Sequence, residues 1–239
     1  MIGTEAGDFD LLGIGLYTAA EASRLTGISP RRLRRWLRGY TYQAGDRAAL
    51  AAPVWPRQVP DIDGTFGLGF LDVIEARFVD AFRQAHVPWT VIRLCAEKAR
   101  MLMDSDHPFS SRRFRTDGRT IFAEIVDQAG EKQLLDLAKS QLAFGRIIGP
   151  SLYTGIEFSN RDTPARWWPL GRDIPVVIDP ARAFGQPILS DAGIPTSTLA
   201  DAVTAEGSIG AVARLFQVEP SSVRAALRFE KSLGGRLAA

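Results

Sequence analysis

In the segment YTAAEASRLTGISPRRLRRWLRG, residues 17–39, apolar side chains recur with helical spacing in two short runs. Ala22 and Leu25 face inward in the first; Leu33, Trp36 and Leu37, at i, i+3 and i+4, form the core-facing stripe of the second. Thr18 with Glu21 three places on has the capping-box arrangement. Gly27 supplies the turn, because glycine takes positive φ cheaply, and Ile28 packs beneath it. Ser29 caps the second helix and Pro30 occupies its first position, where a missing N–H costs nothing. The pattern predicts a helix-turn-helix whose second helix carries Arg31, Arg32, Arg34, Arg35 and Arg38 outside its apolar stripe.

Further elements follow from the same periodicities. Residues 40–69, rich in proline and glycine, read as loop and short extended pieces. FLDVIEARFVDAFRQA places Leu71, Ile74, Phe78 and Phe82 on one helical face, and PWTVIRLCAEKARML does so with Ile92, Cys95, Ala99 and Leu102. SRRFRTDGRTIFAEIVD alternates around an Asp-Gly pair, which predicts two antiparallel strands. EKQLLDLAKSQL reads as a helix, SQLAFGRIIGPSLYTGIEF leans toward strands, and RDTPARWWPLGRD reads as a packed loop or linker. VVIDPARAFGQPIL predicts two short strands about a turn. Three helices follow, in TSTLADAVTAEG, SIGAVARLFQ and PSSVRAALRFEKSL, with Ser208 and Ser221 as caps. Val212, Leu215 and Phe216 would face Val223, Ala226, Leu227 and Phe229 across a short turn, a second helix-turn-helix shape.

Composition narrows what such a chain can do. The 239 residues are 46% hydrophobic, enough for a real core, with no apolar run long enough to span a membrane and no secretory leader pattern. One cysteine, Cys95, precludes an internal disulfide and reads as a buried hydrophobe. Only His86 and His107 accompany it, so the usual zinc sites cannot be assembled. A reducing, cytoplasmic location is expected. Net charge is +2, so nucleic-acid binding must come from local patches. Only four of the 29 basic residues are lysines, an arginine bias that weakens any argument from arginine counts.

The chemistry of a catalytic site is sparse. Asp104, Asp106 and His107 form the one tight cluster of titratable groups, after a helix and before Pro108, where such residues more often turn the chain than bind metal. His86 sits in an interhelix turn, and no P-loop, dinucleotide fingerprint or nucleophile elbow is present. No catalytic residue, metal or cofactor is expected. Nucleic-acid recognition has more support. The second helix of a helix-turn-helix enters the major groove, and arginine forks take guanine or phosphate bidentately. Ser29 and the free N–H groups beside it suit a phosphate. A merely solvated arginine face is the competing reading.

The segment YTAAEASRLTGISPRRLRRWLRG resembles the start of MerR-type winged-helix regulators, through Ala22, Gly27, Ile28, Ser29, Pro30, Leu33 and Arg34. FLDVIEARFV is similar to that family's following helix. The resemblance implies DNA contacts from Arg31, Arg32, Arg34 and Arg35. The family's usual wing sequence, Gly-Tyr-Arg-x-Tyr, is replaced here by AGDRAALAAPVWPRQV, with Arg47 and Arg57. The C-terminal segment resembles family 433 of the domains of unknown function, through Asp179, Pro180, Gly185, Gln186, Pro187, Gly207, Ser208, Ala213, Phe216 and Glu230. That family's Gly-Thr-Arg-Ile becomes Asp191-Ala192-Gly193-Ile194. The two matches in one chain are similar to mycobacterial VapB-type antitoxins. They imply a PIN-domain (VapC-type) ribonuclease toxin as partner and autorepression at operator DNA.

The sequence thus predicts a mainly helical α+β protein. Residues 1–107 would form a winged helix-turn-helix with following helices, 108–175 a mixed middle section with a hairpin, and 176–239 a helix-turn-helix-like three-helix domain. DNA-binding candidates are Ser29, Arg31, Arg32, Arg34, Arg35, Arg38, Arg224 and Arg228. Arg112, Arg113 and Arg115 are candidates for covering a toxin's carboxylate cluster. A homodimer on a two-fold operator is expected, with no membrane contact. A free-standing ligand-responsive regulator is the alternative.

Overall fold

The computed structural model describes residues 11–118, 120 and 150–236. Its class is α+β, mainly helical. β1 (Tyr17–Thr18) leads directly into α1 (Ala19–Thr26) and pairs antiparallel with β4 (Gly67–Leu68). The capping box forms: Thr18 Oγ1 accepts from Glu21 N at 3.2 Å, and Thr18 N donates to Glu21 Oε2 at 2.7 Å. Gly27 takes φ 77°, and α2 (Pro30–Arg38) starts with the Ser29 hydroxyl accepting from Arg32 N at 3.4 Å. Leu33, Trp36 and Leu37 are buried, as their spacing requires.

A hairpin follows within the stretch expected as loop and short extended pieces. β2 (Tyr40–Ala44) and β3 (Arg47–Ala51) pair across Gly45–Asp46, with Gly45 at φ 64°. A Gly-Asp pair is a two-residue turn signal, overlooked because the flanking alanines give no apolar alternation. Gly39 is required at the hinge: it has φ 73°, and a Cβ there would lie 2.3 Å from the Ala51 carbonyl oxygen. The chain then returns beneath α2 through Val54 N donating to Trp36 O at 2.8 Å.

α3 (Phe70–Gln84) and α4 (Trp89–Met103) complete the N-terminal part. Ile74, Phe78 and Phe82 are fully buried, with Leu71 packed at the margin. On α4 the stripe ends on Met103, whereas Leu102 is 49% exposed. The 3.6-residue period places Leu102 just past the edge of the Ile92–Cys95–Ala99 stripe, where hydrophobicity alone does not decide. Asp72 and Glu75 point from α3 into the core. Asp72 accepts from Trp55 Nε1 (3.0 Å), Gln58 N (3.1 Å) and Gly69 N (2.8 Å), and meets His107 Nε2 at 2.8 Å. Glu75 accepts from Phe109 N at 3.0 Å and Ser110 N at 2.8 Å. The two carboxylates thereby fix the loop after α4 to the helix.

The hairpin expected around Asp117-Gly118 is replaced, as far as the described residues reach, by a helical segment over 112–118. Ser111 starts it, with its hydroxyl accepting from Phe114 N at 3.1 Å, and buried Phe114 packs against Phe109 with ring centroids 4.9 Å apart. A cap and a core aromatic outweigh the Asp-Gly signal. The expected helix over EKQLLDLAKSQL lies outside the described residues.

After α5 (Pro150–Tyr153), β5 (Ile156–Phe158), β6 (Pro164–Trp167), β7 (Val176–Ile178) and β8 (Pro187–Leu189) form a four-stranded antiparallel meander. β6 is the strand hidden in the expected linker, and its pairing with β7 carries the sheet across the 175/176 boundary. α6 (Thr196–Glu206), α7 (Ile209–Phe216) and α8 (Pro220–Arg236) follow as expected. Two details differ. Ser221 lies inside the first turn of α8 instead of capping it, and Leu215 is 65% exposed while Val212 and Ala213 make the contact.

The two ends of the chain meet. Tyr17 donates from its hydroxyl to Gly185 O at 2.7 Å, Leu16 N donates to Phe184 O at 2.9 Å, and Arg24 on α1 pairs with Glu230 on α8 at 2.9 Å. Thr196 also donates to Glu230, at 2.5 Å. One continuous hydrophobic core includes residues of both ends.

Candidate nucleic-acid interface

α2 separates its arginines into two groups. Arg31, Arg34, Arg35 and Arg38 occupy i, i+3, i+4 and i+7, a single stripe opposite Leu33, Trp36 and Leu37, and all four are exposed. Arg32 lies on the flank facing α3. Its guanidinium pairs with Asp80 Oδ1 at 2.6 Å and stands 4.9 Å from the Trp36 ring centroid. Asp80 is buried and also accepts from Gln84 Nε2 at 2.6 Å. Arg32 thus ties α2 to α3, while the stripe faces solvent.

Within the stripe, Arg31 has no ion-pair partner among the described residues. Arg35 stacks on Tyr40 of the hairpin, 3.5 Å from its centroid. Arg34 and Arg38 flank Phe66 at 5.9 Å and 5.0 Å, and Arg57 reaches the same ring at 4.8 Å. Arg38 and Arg57 both pair with Asp61, whose carboxyl is held below the usual carboxylate range first by its bond from Arg57 and further by the charges of Arg57 and Arg38. The aromatic rings hold the guanidinium stems at low entropic cost and leave N–H donors for a ligand. Ser29 is exposed at the helix start. Arg47, at the tip of the hairpin, is exposed as well.

The second helix-turn-helix shape repeats the first position for position. α7 has the length of α1, Gln217 at φ 55° stands where Gly27 does, and Val218 where Ile28 does. Pro220 likewise opens α8 as Pro30 opens α2. Arg224 and Arg228 occupy the places of Arg34 and Arg38 and are exposed. Glu219 and Ser221 take the places of Ser29 and Arg31, so this face is less basic than that of α2.

The remaining candidates are dispersed. Arg112 lies 3.6 Å from Asp162 and 5.1 Å from the Phe158 ring; Arg115 stands 6.0 Å from Tyr153; Arg113 is exposed. His107, in the cluster noted in the sequence, is buried on Asp72, and Asp104 ends α4 with φ 48°. His86 is exposed in the α3–α4 turn. The sequence reading missed the Asp72–Glu75–His107 group, because its members come together over long sequence separations. Burial pushes the Glu75 carboxyl up to about 7, against the opposing charge of His107 and its two backbone bonds. Burial also raises the Cys95 thiol, making it unreactive. No group of three or more potential metal ligands occurs among the described residues, nor a helix long and apolar enough to cross a membrane.

Comparison with known proteins places these features. A family profile described as "Putative DNA-binding HTH domain" matches residues 15–95, and one described as a protein of unknown function, DUF433, matches residues 176–229. The chain is 28% identical over 235 residues to the "Putative antitoxin VapB45" of Mycobacterium tuberculosis, covering 93% of this chain and 98% of that protein. The X-ray crystal structure of Rv2018 from Mycobacterium tuberculosis matches with a TM-score of 0.69 at 25% identity, over 90% of this chain and 99% of that one. The chain is therefore a homologue of a protein named as an antitoxin, with a helix-turn-helix DNA-binding domain at one end and a DUF433 domain at the other.

Proposed function

We propose that the protein is the antitoxin of a type II toxin-antitoxin module, acting in the cytoplasm. It neutralises a PIN-domain ribonuclease and, as a homodimer, binds operator DNA to repress its own transcription. The observation that carries the DNA-binding half is the exposed stripe of Arg31, Arg34, Arg35 and Arg38, opposite the buried face of α2 and beside a hairpin in the position of a wing. Such a helix presents early residues to base edges and flanking guanidiniums to phosphates. Arg224 and Arg228 repeat two of those positions and supply a weaker second contact. The toxin-binding half is supported by the named relative. Arg113, exposed between two arginines already engaged, is the candidate best placed to meet a carboxylate cluster. No catalytic role is assigned.

Co-expression with a PIN-domain protein encoded beside the gene tests the reading. One co-eluting complex in size-exclusion chromatography, with ribonuclease activity suppressed and restored on removal of the antitoxin, is expected. Separate elution with an uninhibited nuclease overturns the antitoxin assignment.

A further inference from the structure

A cleft of about 780 Å³ opens where α2, the hairpin and the start of α4 converge. Its size is that of a small-molecule site. Arg32 and Arg35 reach it from α2, Arg83 from the end of α3 and Arg93 from α4. No carboxylate is among the residues that line it. Asp80 compensates one guanidinium, Arg32. Two others bond neutral carbonyl oxygens, Arg83 donating to Val87 O at 2.5 Å and Arg93 to Pro53 O at 3.1 Å, and neither is ion-paired among the described residues. The fourth, Arg35, rests on Tyr40.

Aromatic walls accompany the charge. Trp36 and Trp89 meet edge to face with centroids 5.6 Å apart, and Tyr40 and Tyr42 lie 5.9 Å apart on the hairpin. At the rim, Tyr42 is 46% and Leu50 74% exposed, large apolar surface left in water. Uncompensated guanidiniums explain an anion, and phosphate alone would satisfy them. Open apolar surface beside them explains a ring system attached to that anion.

We propose that this cleft binds a planar aromatic anion, a carboxylate or sulfonate on a fused or substituted ring, and that its occupancy opposes DNA binding. The opposition follows from Arg35, which belongs both to the cleft and to the exposed stripe of α2, and it rests on the DNA-binding reading above. A ligand whose anion engages the Arg35 guanidinium where it rests on Tyr40 withdraws one cation from the duplex, and the coupling is reciprocal.

The probe is anilinonaphthalene sulfonate, titrated into the full-length protein and followed by its fluorescence. Saturable binding at one site is expected, at least about tenfold tighter than that of uncharged N-phenylnaphthylamine, as one charge-assisted contact provides. Arg93→Gln is expected to weaken the sulfonate by a similar factor. Leu50→Glu, at an exposed rim position whose folding is not at stake, should weaken it as well. Binding that both variants leave unchanged, or equal affinity for the uncharged ring, overturns the site. In the second arm, sulfonate at saturation should lower the affinity for duplex DNA. Saturable sulfonate binding without that effect overturns the coupling. Failure of the untreated protein to bind DNA overturns the DNA reading and the coupling together, while the site itself is judged on the fluorescence titration alone.

Discussion

Arg32 and Arg34 are two residues apart on the same helix, yet their replacement by alanine should have opposite consequences. Arg34 belongs to the solvent-facing stripe, with Phe66 as its ring neighbour. If it meets a phosphate, Arg34→Ala lowers the slope of log affinity against log salt by about 0.9, and all four stripe residues together account for about 3.6. Between about 50 and 200 mM salt, one such contact is worth roughly three- to fourfold in affinity. The fold should not notice the change. Arg32→Ala removes the 2.6 Å partner of Asp80, leaving a buried carboxylate with Gln84 alone. Because the Arg32 side chain is 45% exposed, most of the Coulomb attraction is screened, and the expected loss is about 1 kcal/mol. For a chain of this size that lowers Tm by about 2–4 °C. Fluorescence anisotropy on a labelled duplex from upstream of the gene, at several salt concentrations, reads the first effect, and thermal unfolding reads the second. An unchanged slope for Arg34→Ala together with a lowered slope for Arg32→Ala would refute this division of the helix.

Two further outcomes follow from the packing. Gly185→Ala puts a Cβ 2.3 Å from the Tyr17 hydroxyl at a residue with φ 80°, and the buried Tyr17 ring cannot swing away. A loss of at least about 2 kcal/mol in urea unfolding is expected, from overpacking and left-handed strain together; an unaffected midpoint would mean that the seam between the chain ends is looser than described. Glu75, raised in the folded state to about 7 from an ordinary 4.5, binds its proton more tightly folded than unfolded. Its contribution is therefore intact below pH about 4.5 and falls by about 3 kcal/mol as pH rises to about 7. Measured against Glu75→Gln at each pH, wild type should lose that amount of relative stability across the window. A gap that does not change with pH would show that burial leaves this carboxyl unshifted.

The elements readable from sequence are those closed by neighbours in the chain. Thr18 with Glu21, Gly27, Ser29 with Pro30 and the Leu33–Trp36–Leu37 stripe each lie within one or two helical turns, so propensity, capping and periodicity act on them before any tertiary contact exists. The same holds for the three C-terminal helices. Where two local signals competed, the tertiary structure decided. Asp117-Gly118 favoured a hairpin, but Phe114 found a place against Phe109 and the segment became helical. The β2–β3 hairpin and β6 were obscured because prolines and alanines dilute the alternation on which strand reading depends.

Sequence determined that α2 would carry five arginines outside its apolar face. Their separation into a four-residue solvent-facing stripe and one arginine held against α3 depended on Asp80, 48 residues away, arriving beside Arg32. Likewise His107 reaches Asp72 over 35 residues and Tyr17 reaches Gly185 over 168. Side-chain chemistry and local spacing are encoded position by position. Which charges are cancelled, which remain for a partner and where a cleft opens depend on contacts that exist only after the chain has closed upon itself, and that closure no local rule contains.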